Sequence, residues 1–250
     1  MSEFPDFKNL RYLNEVGWFL YRDTYGYNHF TGSYAAERMV WSEMLLDELT
    51  SDYGKNRVWV ADKTVLNVGC GCTGEIAAWP AAIKIAADPL LYAYQKLGML
   101  IEDAPGTNRT VYLSVGVEGL PLLDESVDVL ICRNALDHMA DPRVGLAQLW
   151  RVLKSDGVFF LSVDIGGDPT PDEPSPSTEK SLTSLLKKSF EIVLKREEPK
   201  PHNEHRDHSV RIVARKKEAS RAELDRRAIL HAYEVAVGAV SESLSDAPAV

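Results

Sequence analysis

Apolar strand-like runs alternate with amphipathic helical stretches from residue 63 to residue 217, and this alternation limits the fold more than any other feature of the sequence. TVLNVG is the first strand-like run, and later runs such as SVDVLICR and GVFFLSVD are equally apolar. Such repetition is typical of a parallel sheet that is covered by helices. We therefore predict an α/β fold whose main domain is residues 61–217.

The two ends of the chain predict helices that flank this domain. Residues 1–60 read as mostly helical and are rich in aromatic side chains, which fits either packing on the sheet or a lid over a ligand. Residues 218–250 contain one long predicted helix with an apolar face. That helix is expected to dock on the N-terminal helices or on a second subunit, which would make a homodimer.

Composition narrows the choice of partners. The net charge is −9 and there are three cysteines. An acidic chain is poorly suited to nucleic acid or anionic membrane, because basic surface supplies most of that affinity. Few cysteines favour a reducing compartment, and neither a signal peptide nor a membrane span is apparent. We expect a cytoplasmic protein that binds a small molecule, with neither nucleic acid nor membrane as a partner.

A glycine-rich turn follows the first predicted strand, in the stretch VLNVGCGCTGE. Gly69, Gly71 and Gly74 allow the backbone to approach a nucleotide-like cofactor, but nicotinamide, flavin and S-adenosylmethionine all use such a turn. A dinucleotide would bring its pyrophosphate close to Glu75, and the two negative charges repel each other. S-adenosylmethionine carries no phosphate and is therefore the favoured cofactor.

The end of the second predicted strand supports the same choice. Asp88 in the stretch IAADPL can accept hydrogen bonds from both hydroxyls of a ribose. Asp88 can equally cap the predicted helix at 90–103, in which case Pro89 stands at the first helical position. A shorter helix is predicted at 73–79, ended by the proline that follows it.

Four segments together resemble class I S-adenosylmethionine-dependent methyltransferases, the group called methyltransferase type 11. They are VLNVGCGCTGE, ADP, VGVEGLPLLDESVDVLICRNALDHMADP and LAQLWRVLKSDGVFFLSV, and the resemblance covers residues 63–164. It implies a Rossmann-like sheet of seven strands, six parallel and one antiparallel, and methyl transfer from S-adenosylmethionine. The cofactor contacts that it implies are Asn67, Gly69, Cys70, Gly71, Asp88, Pro89, Val117, Glu118 and Arg133.

The sequence departs from the family pattern at several places. Asn67 stands where the family has an acid before the glycines, and the glycine turn carries one extra residue. Gly116 takes the place of an acid in the adenine loop, which leaves Glu118 nearest. These departures keep a second class of function open, a cofactor-binding partner subunit without catalysis.

The segment CRNALDHMADP places two ionisable side chains just after the fourth predicted strand. A hydroxyl acceptor needs a general base, and histidine is the usual one near neutral pH. We therefore predict catalytic roles for His138 and Asp137; the alternatives are a structural histidine and a local cap. If the sixth strand is parallel, the loop after it rises at the same edge, which makes His208 and His205 reserve candidates.

A divalent metal is a further prediction. Asp137 and Asp164 follow neighbouring predicted strands, and their carboxylates suit Mg²⁺, which would lower the pKa of an acceptor hydroxyl. The alternative is that both carboxylates serve local hydrogen bonds and no ion is needed.

The acceptor predicted from these side chains is a hydroxyl of a sugar or a secondary metabolite. Aromatic side chains can stack on sugar rings or flat natural products, and histidines with carboxylates suit polyhydroxyl compounds. An amine of a small metabolite is the nearest alternative, because it needs less help from a base.

Overall fold

The computed structural model describes residues 32–170, 172–198 and 206–217. The predicted aromatic lid before residue 32 and the predicted C-terminal helix lie outside these residues, so both stay predictions. The described helices are α1 Gly32–Asp52, α2 Leu91–Lys96, α3 Pro142–Val152 and α4 Glu179–Leu186. The strands are β1 Thr64–Val68, β2 Ile83–Ala87, β3 Thr110–Leu113, β4 Val127–Arg133, β5 Leu153–Ile165, β6 Phe190–Glu198 and β7 His208–Lys216.

These seven strands form one sheet with the order β3-β2-β1-β4-β5-β7-β6. The pairs β3-β2, β2-β1, β1-β4 and β4-β5 are parallel, whereas β7 runs antiparallel to both β5 and β6. Strand β6 therefore shares the direction of β5. The prediction of six parallel strands and one antiparallel strand is confirmed.

The sheet is buried on both faces, which explains why its central strands are almost continuously apolar. On β4, Leu130 belongs to one apolar cluster and Ile131 to the cluster on the opposite face. Helix α1 supplies Leu46 to the second cluster, and α3 supplies Leu149 to the first. No described helix is long and apolar enough to cross a bilayer.

Two predicted helices differ from the structure. Residues 75–78 form turns instead of a helix, with hydrogen bonds to the third residue back, such as Ala77 N to Gly74 O at 3.0 Å. In an α-helix Ala78 N would bond to Gly74 O, but it donates to Ser42 Oγ of α1 at 3.1 Å. The helix predicted at 90–103 ends at Lys96, because Gly98 adopts a φ of 69° that stops helical geometry.

The start of α2 also differs from its prediction. Leu90 is the N-cap residue, so Pro89 precedes the helix instead of standing at its first position. Parallel strands place their carboxyl ends at one edge of the sheet, and in open α/β sheets this edge is where ligands bind. The segments after β1, β2, β4 and β5 consequently converge on one region.

Candidate active site

The glycine turn after β1 depends on backbone conformations that other residues rarely adopt. Gly69, Gly71 and Gly74 have φ angles of 65°, 54° and 64°. A Cβ atom on Gly69 would lie 2.2 Å from the Cβ of Ala135, and one on Gly74 would lie 2.7 Å from the Cβ of Ile101. The turn therefore needs glycine for its own conformation and packing as well as for a ligand.

Asp88 connects this turn to α2. Its Oδ2 accepts a hydrogen bond from Gly71 N at 3.0 Å, and its Oδ1 accepts one from Leu90 N at 2.8 Å. The side chain is mostly buried, with the residue 8% exposed. The predicted ribose contact of this carboxylate stays a prediction. The predicted N-cap role of Asp88 is wrong, because Leu90 is the N-cap residue and Asp88 bonds to the Leu90 amide just before the helix.

The buried carboxylate of Glu75 lies behind the turn. The sequence had suggested only that Glu75 would repel a pyrophosphate. Glu75 accepts a hydrogen bond from Asn67 Nδ2 on Oε2 and one from Arg133 Nη1 on Oε1, both at 2.9 Å. Asn67 is fully buried, and the side chains of Glu75 and Arg133 are about nine-tenths buried. Glu75 thus supplies a carboxylate beside Asn67, the position where an acid was expected.

Helix α1 is fastened to the same turn by its polar side chains. Ser42 Oγ donates to Glu75 O at 2.9 Å and accepts from Ala78 N at 3.1 Å. Arg38 Nε donates to Thr73 O at 2.9 Å. The guanidinium carbons of Arg38 and Arg133 lie 4.0 and 4.9 Å from the ring centre of Trp41. The N-terminal part of the chain therefore helps to hold the glycine turn in place.

The remaining predicted cofactor contacts occupy different environments. Burial raises the pKa of the Cys70 thiol well above its usual range, so this thiol is neutral and unreactive. Val117 is buried in the core and Glu118 is exposed, both in a short 3₁₀ turn. A Cβ at position 116 would lie 2.8 Å from Glu118 Oε2, so Gly116 makes room for that carboxylate.

Asp137 is a buried carboxylate in the segment after β4. The residue is 1% exposed, and neither carboxylate oxygen has a partner among the described residues. Burial is the main cause that raises the pKa of Asp137 to about 6; the neighbouring His138 lowers it and Glu173 raises it. Asp141, whose Oδ1 accepts from Arg143 N at 2.9 Å, caps α3 instead. Asp137 and His138 are therefore not the caps that the alternative interpretation required.

The loop after β5 brings a third ionisable group to this pair. Glu173 lies in the loop between β5 and α4, and Ser175 N donates to Asp137 O at 3.1 Å. Glu173 Oε1 lies 3.9 Å from His138 Nε2. One ligand atom from each of Asp137, His138 and Glu173 lies within 4.8 Å of the others. Glu173 has no signal in the sequence, because nothing in a Pro- and Ser-rich loop indicates which carboxylate folds inward.

Arg206 holds Glu173 in this position. Its Nε donates to Glu173 Oε2 at 2.7 Å, its Nη2 donates to the same oxygen, and its Nη1 donates to Gly166 O at 2.7 Å. Both residues of the pair are nearly buried, at 5% and 6% exposure. The loop after β5 is thus fixed to the start of β7, and Glu173 Oε1 remains turned toward His138.

Two predicted residues lie outside this group. Asp164 on β5 accepts a hydrogen bond from Ser209 Oγ on β7 and does not belong to the three-residue group. His208 Nε2 lies 3.0 Å from Glu179 Oε1, in a second, more exposed group that includes Glu197. His205 falls outside the described residues. The parallel direction of β6 does bring its carboxyl end to the predicted edge.

The comparisons with known proteins agree with this fold. Residues 66–161 match the family model described as a methyltransferase domain. This match covers less than half of the chain. The chain is 30% identical over 103 residues to an uncharacterised methyltransferase of Bacillus subtilis, across 40% of each protein. It is 29% identical over 119 residues to a ubiquinone biosynthesis O-methyltransferase of Saccharophagus degradans, across 47% of this chain and 50% of the relative.

The chain therefore spans only half or less of the length of these two relatives. A solved structure, Burkholderia thailandensis 1,6-didemethyltoxoflavin-N1-methyltransferase, aligns over 87% of this chain and 94% of its own. The TM-score is 0.53 at 19% identity, and that structure holds 1,6-didemethyltoxoflavin and S-adenosylhomocysteine. The likeness confirms the predicted Rossmann-like class I methyltransferase fold.

Proposed function

We propose that this chain transfers a methyl group from S-adenosylmethionine to a hydroxyl of a small molecule, a sugar or a secondary metabolite. The observation that carries the proposal is the pair formed by Asp137 and His138, ionisable side chains next to β4 at the edge of the sheet that also carries the glycine turn. The proposed cofactor site and the proposed general base thus lie at the same edge of the sheet.

The cofactor part of the proposal rests on the glycine turn and Asp88. The glycine turn follows β1, and Asp88 stands at the end of the adjacent strand β2, where its carboxylate also bonds to the Gly71 amide. Glu75 lies buried behind the turn and is paired with Arg133. The glycine turn and Asp88 together favour a cofactor with a ribose.

The acceptor part rests on the side chains near the donor edge. The sulfonium is already a strong electrophile, so the protein mainly aligns the acceptor and removes its proton. His138 is partly exposed, with 20% of its side chain accessible, and can take a proton from a hydroxyl, while Asp137 beside it stabilises the charge that develops. We propose His138 as the general base and Asp137 as the residue that stabilises the positive charge on His138.

Transfer to an amine of a small metabolite is the second candidate. The Burkholderia neighbour is an N1-methyltransferase, which shows that this fold serves nitrogen acceptors. An amine acceptor requires less from a base, so the buried and unpartnered Asp137 favours the hydroxyl. A partner subunit without catalysis is the third candidate, and it predicts cofactor binding without turnover on any acceptor.

The experiment has two arms. Calorimetry with S-adenosylhomocysteine measures binding to the wild type and to Asp88→Ala, which we expect to weaken binding by about 1.5–3 kcal/mol because hydrogen bonds to a charged acceptor are lost. Asp62→Asn is the control, since the Asp62 side chain is 77% exposed. Unchanged affinity in a folded Asp88→Ala protein would contradict the ribose role.

The second arm identifies the acceptor. Methyl-labelled S-adenosylmethionine is incubated with the protein and with fractions of small metabolites, and the labelled product is identified by mass spectrometry. A labelled methyl ether supports the hydroxyl, and a labelled amine supports the second candidate. Tight cofactor binding with no labelled product in any fraction would favour the inactive partner subunit.

A further inference from the structure

The group formed by Asp137, His138 and Glu173 has the side chains of a metal site. Its three residues come from two separated segments, the one that follows β4 and the loop after β5. One donor atom from each lies within 4.8 Å of the other two. Two donors sharing a cation at about 2.0–2.2 Å can lie up to about 4.4 Å apart, so a small side-chain rotation completes the approach.

The unpartnered carboxylate of Asp137 is an independent observation that points to a ligand. The residue is 1% exposed, and both of its oxygens lack a hydrogen-bond partner among the described residues. A buried carboxylate in this state is costly unless it is paired or coordinates a metal. No described residue donates a hydrogen bond to the Asp137 carboxylate, whereas a cation bound between the three residues would compensate its charge.

Glu173 is already positioned as a ligand. Arg206 bonds to Oε2 from two nitrogens, which fixes the carboxylate and leaves Oε1 facing His138 at 3.9 Å. Outer partners that orient a ligating carboxylate are a regular part of protein metal sites. Asp164, which the sequence suggested as a ligand, instead accepts a hydrogen bond from Ser209 and stands outside the group.

We infer that Asp137, His138 and Glu173 bind one divalent first-row transition cation, in the series from Mn²⁺ to Zn²⁺. An imidazole with two carboxylates is a donor set that suits these ions, whereas Mg²⁺ prefers oxygen ligands throughout. The ion expected from the sequence was Mg²⁺ at Asp137 and Asp164. The structure substitutes Glu173 for the second aspartate and adds the nitrogen donor of His138, and this nitrogen donor changes the class of ion.

This inference rests on the proposed methyl transfer and revises one part of it. Three protein ligands leave coordination positions open for acceptor oxygens. A hydroxyl on the cation has a lowered pKa and loses its proton to water. Its oxygen then bonds to the methyl carbon as the carbon–sulfur bond of the sulfonium breaks, which leaves S-adenosylhomocysteine. In this form of the enzyme His138 is a ligand and not the proton acceptor.

The test measures Mn²⁺ binding to the full chain by electron paramagnetic resonance, without cofactor or acceptor. After removal of metal with a chelator, the wild type is expected to bind one Mn²⁺ per chain, and equimolar Zn²⁺ is expected to displace it while equimolar Mg²⁺ does not. His138→Gln and Glu173→Gln are each expected to weaken binding at least tenfold. Glutamine at position 173 keeps an acceptor for Arg206.

Two matched controls locate the ion. Glu179→Gln alters the more exposed group of Glu179, Glu197 and His208, and Asp164→Asn alters the aspartate outside the cluster. Both are expected to bind Mn²⁺ within twofold of the wild type. Absence of a bound Mn²⁺ in the wild type, or loss of it in a control and not in His138→Gln, would overturn the inference. Thermal melting of each metal-free variant checks its fold, and Asp137→Asn replaces any variant that does not fold.

Methyl transfer is assayed separately, so that the two proposals fail independently. Full activity in the chelator-treated enzyme overturns the catalytic role of the cation, though not its binding, and leaves His138 as the base. The protein could instead bind Mn²⁺ at the three residues and methylate no acceptor. That result supports the cation site and contradicts the proposed methyl transfer.

Discussion

Replacing Glu75 by alanine tests whether the buried carboxylate behind the glycine turn stabilises the domain. In the wild type, Glu75 accepts one hydrogen bond from Asn67 and one from Arg133, each at 2.9 Å. Alanine would leave a guanidinium whose side chain is 12% exposed without this carboxylate and a fully buried amide without its acceptor. The substitution leaves the backbone carbonyl of residue 75, which Ser42 binds, in place.

The expected cost follows from these contacts. Removing one partner of a buried ion pair costs about 3–5 kcal/mol. The small exposure of both side chains places Glu75→Ala at the lower end, at about 3–4 kcal/mol. For a domain of this size, about 2–4 °C of melting temperature correspond to each kcal/mol, so the melting temperature is expected to fall by about 6–16 °C.

Glu75→Gln is the matched control, and its cost is expected to be smaller for a geometric reason. The Oδ1 of Asn67 has no hydrogen-bond partner among the described residues. If the Asn67 amide turns over, glutamine can donate to that oxygen and still accept from Arg133. Both hydrogen bonds then survive and only the negative charge is lost, which costs about 1–2 kcal/mol, the difference between charged and neutral hydrogen bonds.

Urea unfolding followed by circular dichroism measures both free energies. The reasoning is refuted if Glu75→Ala loses less than about 1 kcal/mol, or if the alanine and glutamine variants lose the same free energy. Equal losses would mean that the hydrogen bonds to Asn67 and Arg133 contribute nothing beyond the charge.

Three further predictions concern the acceptor side, a helix cap and the N-terminal segment. His138→Ala is expected to lower turnover by about 10²–10⁴-fold with cofactor affinity nearly unchanged, measured by labelled methyl transfer and calorimetry; loss of cofactor affinity would favour a structural role. Asp141→Ala removes the cap of α3 and is expected to cost about 1 kcal/mol near pH 7. Hydrogen bonds from Arg143 lower the pKa of Asp141, so this contribution is present above the unfolded pKa and is lost as the pH falls through the lower folded value. Urea unfolding at pH 7 and pH 3 checks this, and a gap between the two proteins that widens in acid would contradict it. Deleting residues 1–34 is expected to abolish turnover, and normal activity in a folded truncated protein would show that no lid is required.

The strands of the sheet could be predicted from the sequence because the patterns that mark them lie within short segments. A central strand buried on both faces must be apolar along its length, and a turn with positive φ angles at three positions requires glycine, so β4 and the turn after β1 are visible in one dimension. Helix ends were less accurate. Gly98 stops α2 early, and the Ala78 amide donates to Ser42, a partner from another element.

The sequence by itself determined the α/β class, the seven strands with one antiparallel that the family resemblance implied, and the positions of Asp88, Asp137 and His138 after strand ends. Each of these depends on neighbouring residues, because a strand carries its next side chains to the edge where it ends. Tertiary structure alone decided which charged groups meet. Glu75 comes to Asn67 and Arg133 by a fold of the turn, and Glu173 comes to His138 because Arg206, from the segment just before β7, holds its loop inward. Contacts between residues far apart in the chain leave no periodicity or spacing in it, so only the folded molecule could show them.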